Sequence, residues 1–457
     1  MRKIIGLSCV LFLFSFTLSS CKIQKNVQGK TEIVTEESIL RNILEPAIPD
    51  YSINVKDFDA AGDSVTNDKP AFDKAIQALK ERGGGKLVVP AGRYMLQGPL
   101  HLISKMDLHL QKGASLLFGS NPADYLPVVK TSWEGTFLFN YSPFIYALEC
   151  QNVSISGEGI IDGKASKTWS QWAGKQEKDQ LKSREMNHNS VPVDQRIFGE
   201  GHFLRPQLIQ FFDCKNIKVE GVTIKNSPFW CIHLLRCERV IVRNLRYDAQ
   251  NRNNDGIDPE YSRNVLIENI EFNNSDDNIA IKSGRDNDGW ASNVRSENIV
   301  VRNCHFKGLH AVVVGSEMSA GVENVFVHDC DFAGKLKRGI FLKSNPDRGG
   351  FIKNIYVKNV EFGEVEDCFY LTSFYHNEGA GHVTDISEVY FENITCKKAT
   401  GSGIVIQGFP EKKVSNIHFS NVKIDTVRNA VSMTDTENII LNNVIIGEMA
   451  TAPSSVK

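Results

Sequence analysis

Four side chains that titrate or carry charge recur at one place in a repeating pattern. Asp255 lies two residues before Ile257, Asp277 two before Ile279, His310 two before Val312 and Arg338 two before Ile340. If each apolar residue opens a strand and successive segments stack as coils, then Asp, Asp, His and Arg share one slot of the coil. Neighbouring strands lie about 4.8 Å apart, so the column gathers two carboxylates, an imidazole and a guanidinium within the span of one small ring. Asp276 adds a third carboxylate, and Lys282 and Lys343 share a second slot a few places on. Proton-transfer catalysis needs such a cluster, with one acid to protonate a leaving oxygen and one carboxylate to deprotonate water. Mutual repulsion among three carboxylates raises at least one pKa and keeps an acid available near neutral pH. Taken singly, each residue has a plainer use: Asp255 precedes a glycine as turn residues do, Asp276-Asp277 could solvate a loop, and a lone histidine is more often structural. The shared slot is what joins them. Asp258 and Glu260 read as structural, and His305 and His328 as repeat positions.

The elements that must hold this column repeat along the chain. Asn, apolar, any, apolar recurs as Asn216-Ile217-Lys218-Val219, Asn264-Val265-Leu266-Ile267 and Asn298-Ile299-Val300-Val301, and again from Asn324, Asn354, Asn416 and Asn438. Weaker copies start at Asn152, Arg239 and Glu388, and the spacings run from 22 to 34 residues. Short alternating strands with Asn- and Gly-rich turns at this period mean a solenoid. A β-propeller wants periods near 40 and antiparallel blades; a right-handed, single-stranded parallel β-helix fits better, because each coil can bury its apolar face only against the next. Before the repeats, Asn67-Asp68-Lys69-Pro70 predicts the cap of a helix over 71–82, ended by Gly83-Gly84-Gly85, and Lys86–Tyr94 reads as strand and turn. One stretch breaks the rhythm. Residues 163–206 are polar and charged and hold Trp169, Trp172, Arg184, His188 and His202. They read either as the wall of a groove with an aromatic platform or as a surface excursion.

The 457 residues are 41% hydrophobic with a net charge of -2, which suits a large core and gives no charge-based reason to expect nucleic acid or membrane attraction. Met1-Arg2-Lys3 followed by the apolar run from Ile4 to Leu18 reads as an export signal over 1–20. Leu18-Ser19-Ser20-Cys21 resembles a bacterial lipobox, which makes Cys21 the lipidated first residue of a lipoprotein, 21–45 a polar tether and 46–450 the folded body. The expected anchor faces the periplasm rather than the cell surface. Eight cysteines remain beyond Cys9 and Cys21; those in Asn303-Cys304-His305 and Asp329-Cys330-Asp331 sit at repeat positions and read as small core fillers, and metal spacing of the CxxC type is absent.

At these motifs the sequence resembles family 28 of the glycoside hydrolases, the polygalacturonases, from about Ile53 to Val444, with an opening like that of pectin-lyase-like β-helices. The family's Asn-Thr-Asp is matched by Asn253-Asn254-Asp255, its Asp-Asp by Asp276-Asp277, its Gly-His by Leu309-His310 and its Arg-Ile-Lys by Phe341-Leu342-Lys343. The flanks Ser283–Asp286, Gly315–Met318 and Ser344–Gly350 look most like the exo-acting bacterial branch. The resemblance implies inverting hydrolysis of α-linked galacturonic acid in pectic poly- or oligosaccharides, a chemistry that requires no metal or organic cofactor; as a solenoid with a capped end, the chain is expected to be a monomer. It implies that Asp276 is the general acid, that Asp255 and Asp277 hold and activate water, that His310 hydrogen-bonds the acid or the sugar, and that Lys343 binds a uronate. Slot position and local charge add Lys282 and Arg285 as substrate-binding candidates. Phe341 stands where the family usually has Arg; it can stack on a sugar but cannot grip a carboxylate, unless Arg338 or Arg348 does so from nearby. Hydrolysis of rhamnogalacturonan or branched pectic oligosaccharides therefore stays open. A Ca²⁺-dependent lyase and a non-catalytic glycan-binding β-helix are the rival classes, and the acid-rich slot argues against both.

Overall fold

The computed structural model describes residues 34–376 and 379–449. Two columns of parallel strands organise it. In one, Ile145, Ile209, Ile232, Ile257, Ile279, Val312, Ile340 and Phe369 pair in register. In the other, Val153, Ile217, Val240, Val265, Ile299, Val325, Ile355 and Val389 do the same. A third, six-stranded sheet from Asp63–Asn67 to Arg246–Asp248 closes the early coils. This is the expected right-handed parallel β-helix. The inward β-branched and aromatic side chains of every coil merge into one long core.

The repeat's Asn opens each coil for a local reason. Asn152, Asn216, Asn264, Asn298, Asn324, Asn354, Asn416 and Asn438 all have φ between 52° and 59°, a left-handed backbone that Asn tolerates better than most residues. Arg239 and Glu388, the weaker copies, adopt it too. The amides then chain between coils, Asn298 Nδ2 donating to Asn264 Oδ1 at 3.2 Å, Asn324 to Asn298 at 3.1 Å and Asn354 to Asn324 at 3.1 Å. Inside, Tyr247, Phe272, Phe306, Phe332 and Phe362 stack at 4.3–5.3 Å. All eight described cysteines are buried and unpaired, as core fillers should be.

The first coil is covered by the helix Lys69–Glu81, which buries Ala71, Phe72, Ala75, Ile76 and Leu79. It starts two residues earlier than predicted. The Asp68 carboxylate accepts from Ala61 and Gly62 N–H rather than capping the helix, and Asn67 Oδ1 takes the Lys69 N–H. The tether expected over 21–45 ends early as well. Thr35 caps a short helix, Glu36–Leu40; Ile39 is buried against Leu266 and Val300; Glu45 pairs with Lys218 at 2.7 Å and Arg243 at 2.8 Å. The export signal and Cys21 lie outside the described residues.

The 163–206 insertion is neither a bare loop nor an aromatic platform. It forms short 3-10 turns and the helix Glu177–His188. Trp169 is 1% exposed, packed on Tyr125, Tyr141 and Phe144, and Trp172 leans on it. Both indoles anchor the insertion to the coils, and its polar helix is left to face the site.

Candidate active site

Register builds the slot as expected. Asp277 pairs with His310, His310 with Arg338 and Arg338 with Asp367. Asp255 enters the same column because Ile257 pairs with Ile279. A second column runs Glu260 to Lys282, and Lys343 to Thr372 beyond it. Three buried asparagines brace the loops that aim the aspartates. Asn254 donates to the Ser227 and Phe229 carbonyls, Asn274 to those of Asn254 and Asp277, and Asn278 to Asn274 Oδ1 and the Lys307 carbonyl, all within 3.1 Å. The loops press close: a Cβ on Gly256 would lie 2.4 Å from the Asn278 carbonyl oxygen, and one on Gly308 2.5 Å from Asn278 Nδ2. The close approach before His310 is thus made by Gly308, and Leu309 can be a bulky, part-exposed residue.

The three aspartates are held in different electrostatic states. Asp277 is 2% exposed. Burial works to raise its pKa, but the Lys343 ammonium at 3.0 Å and the His310 hydrogen bond at 2.6 Å outweigh burial and hold it well below the usual carboxylate range. Asp276 is raised by burial and then by the charge of Asp277. Asp255 is raised well above the ordinary value by burial, then by Asp258, Asp276 and Asp277. Of two adjacent carboxyls, one is thereby kept ionised and the other is biased towards its acid form. Asp276, Asp277 and His310 also present ligand atoms within 4.8 Å of one another. However, Asp277 Oδ1 is taken by His310 and Oδ2 by Lys343, so the carboxylate has its counter-charge from the protein.

The cavity above them measures ≈ 270 Å³. Asp255, Asp276, Asp277, Lys282, Arg285 and Lys343 line it, and so do Glu134, Gln176, Gln180, Arg184, Trp230, Glu317 and Tyr375. Lys282 sits over the Trp230 ring and bonds Glu317 at 3.2 Å, and Arg285 bonds the other Glu317 oxygen at 3.0 Å. Against the cost of burial, these cations hold Glu317 well below its ordinary pKa. One side is closed by the insertion and by the hairpin of Val129–Trp133 and Thr136–Asn140. Glu134 at the hairpin tip accepts from Gln180 at 2.7 Å and Arg184 at 3.0 Å, and its carbonyl accepts from Arg285 at 3.2 Å.

Several expectations need correction. Phe341 is 1% exposed and packs among Ala280, Val313, Tyr370 and Tyr375, so it is a support and not a sugar platform. Arg338 does not take over the missing arginine's place: it lies 4.5 Å over the Phe341 ring and 4.0 Å over Tyr370. Arg348 is fully buried against Asp286. His310 bonds Asp277, not Asp276. Of the insertion's candidates only Arg184 lines the cavity; His202 pairs with Asp179 and His188 is exposed. Asp258 is buried 3.9 Å from Lys282, and Glu260 bonds His233 and Ser132 beneath the site. Glu134 and Gln180 escape a reading by repeats because they lie outside the coils. Glu317 carried a signal, since it lies in the flanking segment Gly315–Met318 that resembles the exo-acting branch.

An ionised carboxylate beside one biased towards its acid form, at the floor of a pocket on a parallel β-helix, is an arrangement able to cleave glycosidic bonds. The profile described as "Glycosyl hydrolases family 28" matches residues 200–451, and one for "Rhamnogalacturonase A/epimerase, pectate lyase-like" matches 52–117. Among solved structures, an exopolygalacturonase of Thermotoga maritima is 38% identical with a TM-score of 0.82, over 89% of this chain and 95% of that one. An exo-poly-alpha-D-galacturonosidase of Dickeya chrysanthemi is 27% identical over 444 residues, 89% of this chain and 72% of its own. A probable polygalacturonase of Vitis vinifera is 27% identical over 85% of this chain and 78% of its own. The chain belongs to family 28 of the glycosyl hydrolases and is a glycoside hydrolase.

Proposed function

We propose that this pectin hydrolase acts from chain ends, releasing galacturonate from pectic oligosaccharides with inversion at the anomeric carbon. The observation that carries the reading is the split between neighbouring carboxyls at the foot of a pocket walled on one side. Asp276, biased towards its acid form, protonates the leaving oxygen. Asp277, held ionised by Lys343 and His310, draws the proton from water, and Asp255 beside it in the column orients that water. Lys282, Arg285 and Arg184 supply positive charge on the wall where a uronate ring comes to rest. Glu134 and Glu317 fix those cations in place, so that a terminal sugar meets a formed site and a polymer cannot run through. The exo-acting relatives agree with this reading.

A second reading, cleavage of rhamnogalacturonan or branched pectic fragments, is favoured by the buried Phe341 in the place of the family's arginine. One product analysis separates the two. Wild type and Asp276→Asn are incubated with homogalacturonan, oligogalacturonides and rhamnogalacturonan fragments, and early products are followed by proton NMR. Monomeric galacturonate from oligogalacturonides, first seen as the inverted anomer, supports the reading. Cleavage of rhamnogalacturonan alone establishes the second, and an unsaturated, ultraviolet-absorbing product overturns both.

The same chain is proposed to be an exported lipoprotein, monomeric and tethered to a membrane only through Cys21 in a periplasm-facing position. The basic start, the apolar run and Leu18-Ser19-Ser20-Cys21 support this. Labelled palmitate should enter wild type in its host and not Cys21→Ala; label in both would refute the anchor.

A further inference from the structure

Arg205 belongs to none of the four motifs and ends the insertion, yet its side chain is 0% exposed and spans the gap between the wall and the acid. Nε donates to Gln176 Oε1 at 2.9 Å, Nη1 to the Pro228 and Arg252 carbonyls at 3.0 and 2.8 Å, and Nη2 to Asn253 Oδ1 at 2.7 Å. The guanidinium lies 5.0 Å over the Phe229 ring. Each of these bonded acceptors is neutral. Burial accordingly pushes the guanidinium down to about 10, a cost that the stacking of coils does not require.

What this cation fixes is the direction of one amide. Asn253 Oδ1 faces Arg205, so Nδ2 must face Asp276, where it donates to Oδ2 at 3.4 Å. Oδ1 of Asp276 accepts from the Asp277 N–H at 3.1 Å. Both oxygens of the acid are therefore held by fixed donors, and its proton is left to the lone pairs that line the cavity. Without Arg205 the amide can turn and offer Asp276 an acceptor instead.

We propose that Arg205 is a positioning residue for Asp276, acting through Asn253, and that it ties the pocket wall, through Gln176, to the orientation of the acid. The proposal rests on Asp276 being the proton donor. A planar fork with four acceptors is a geometry that Lys cannot reproduce.

The test compares two substrates with the full-length enzyme: an oligogalacturonide, whose leaving group needs a proton, and a nitrophenyl α-galacturonide, whose leaving group does not. Arg205→Lys and Asn253→Ser should lose about 10²-fold in kcat on the oligosaccharide and keep most of it on the aryl glycoside. On the oligosaccharide alone, the alkaline limb of kcat/KM should move to higher pH, because an acceptor facing Asp276 favours its protonated form. A general packing defect would lower both substrates alike and leave the limb in place, and that result overturns the proposal. Should Arg205→Lys fail to fold, Asn253→Ser, which leaves three of Arg205's bonds intact, decides by the same readouts. Asp276→Asn runs beside them. If it too loses equally on both substrates, the acid assignment itself falls; if it alone is spared on the aryl glycoside, only the role of Arg205 falls.

Discussion

The floor of the pocket and its wall are built by different rules. The floor rests on periodic positions: Asp255 and Asp277, which line the pocket, stand in one column with His310 and Arg338 because the strands beneath them are in register. The wall consists of residues that obey no period, Glu134 on a hairpin tip and Gln176, Gln180 and Arg184 on an insertion. Geometry on the floor is inherited from the backbone of a continuous sheet, so each acid is held by many coils at once. Geometry on the wall is held by a few side-chain bonds. The contrast predicts that floor substitutions change the chemistry, and that wall substitutions change which end of which chain is cut.

The largest effect should come from Asp276→Asn, with kcat falling about 10³- to 10⁴-fold and the melting temperature at pH 7 no lower than wild type. The second part follows from sign. A carboxyl whose folded pKa is raised costs stability once pH rises above its unfolded pKa, and a neutral amide removes that cost, which offsets the long 3.4 Å hydrogen bond from Asn253 that its NH2 cannot accept. A lower Tm together with residual activity near wild type would break the floor assignment.

Lys343→Met comes next. It strips a buried carboxylate of its cation, which costs about 3–5 kcal/mol in stability by urea unfolding. Asp277 is depressed in the folded enzyme, so its contribution to stability is present above its unfolded pKa and is lost as pH falls through the folded one. Without Lys343 that folded pKa rises, and the acid limb of kcat/KM should shift to higher pH. An unmoved limb would mean that Lys343 serves the substrate alone.

Phe341→Ala should cost about 3 kcal/mol or more in stability by the same unfolding measurement, with KM affected less than kcat, because the ring does not line the cavity but backs His310 and Lys343 as well as Tyr370 and Tyr375. A KM effect larger than the stability effect would return Phe341 to the substrate.

Legibility follows the same division. Alternation and the Asn spacing expose the coils, and counting from the first apolar residue of each strand exposes the column, because a one-residue register error would turn every side chain to the other face. The aspartates could be placed together without any contact in hand. The role of Phe341 could not, since the same position in a coil can face solvent or lie beneath a loop, and the loop that brings Tyr375 over it carries no repeat. The indoles of the insertion misled for a related reason: Trp169 offers a sugar platform by composition, but burial on Tyr125 and Phe144 stabilises it more than exposure would. The short helix at Glu36–Leu40 is only 5 residues long, too short for a helical period to show, and Ile39 alone is buried in it.

The smallest effect expected is on the wall itself, and it discriminates best between the two regions. Arg184 is about a quarter exposed and holds Glu134 at 3.0 Å, and Gln180 shares the same oxygen. Arg184→Ala leaves the floor untouched and leaves Glu134 a remaining partner, so kcat should stay within about threefold of wild type and stability within about 1 kcal/mol, the range of a solvent-screened pair. What should change is the product. With the wall loosened, longer oligogalacturonides can slide past the terminal site, and dimers and trimers should appear beside monomer in early digests resolved by anion-exchange chromatography. KM should rise most for the shortest substrates, which draw the largest share of their binding from the cations of the terminal site. If Arg184→Ala releases only monomer with an unchanged KM for short chains, the wall at this point is scaffolding, and the stop that the proposed end-on cleavage requires is to be sought at the Arg285–Glu317 pair, where wall and floor meet.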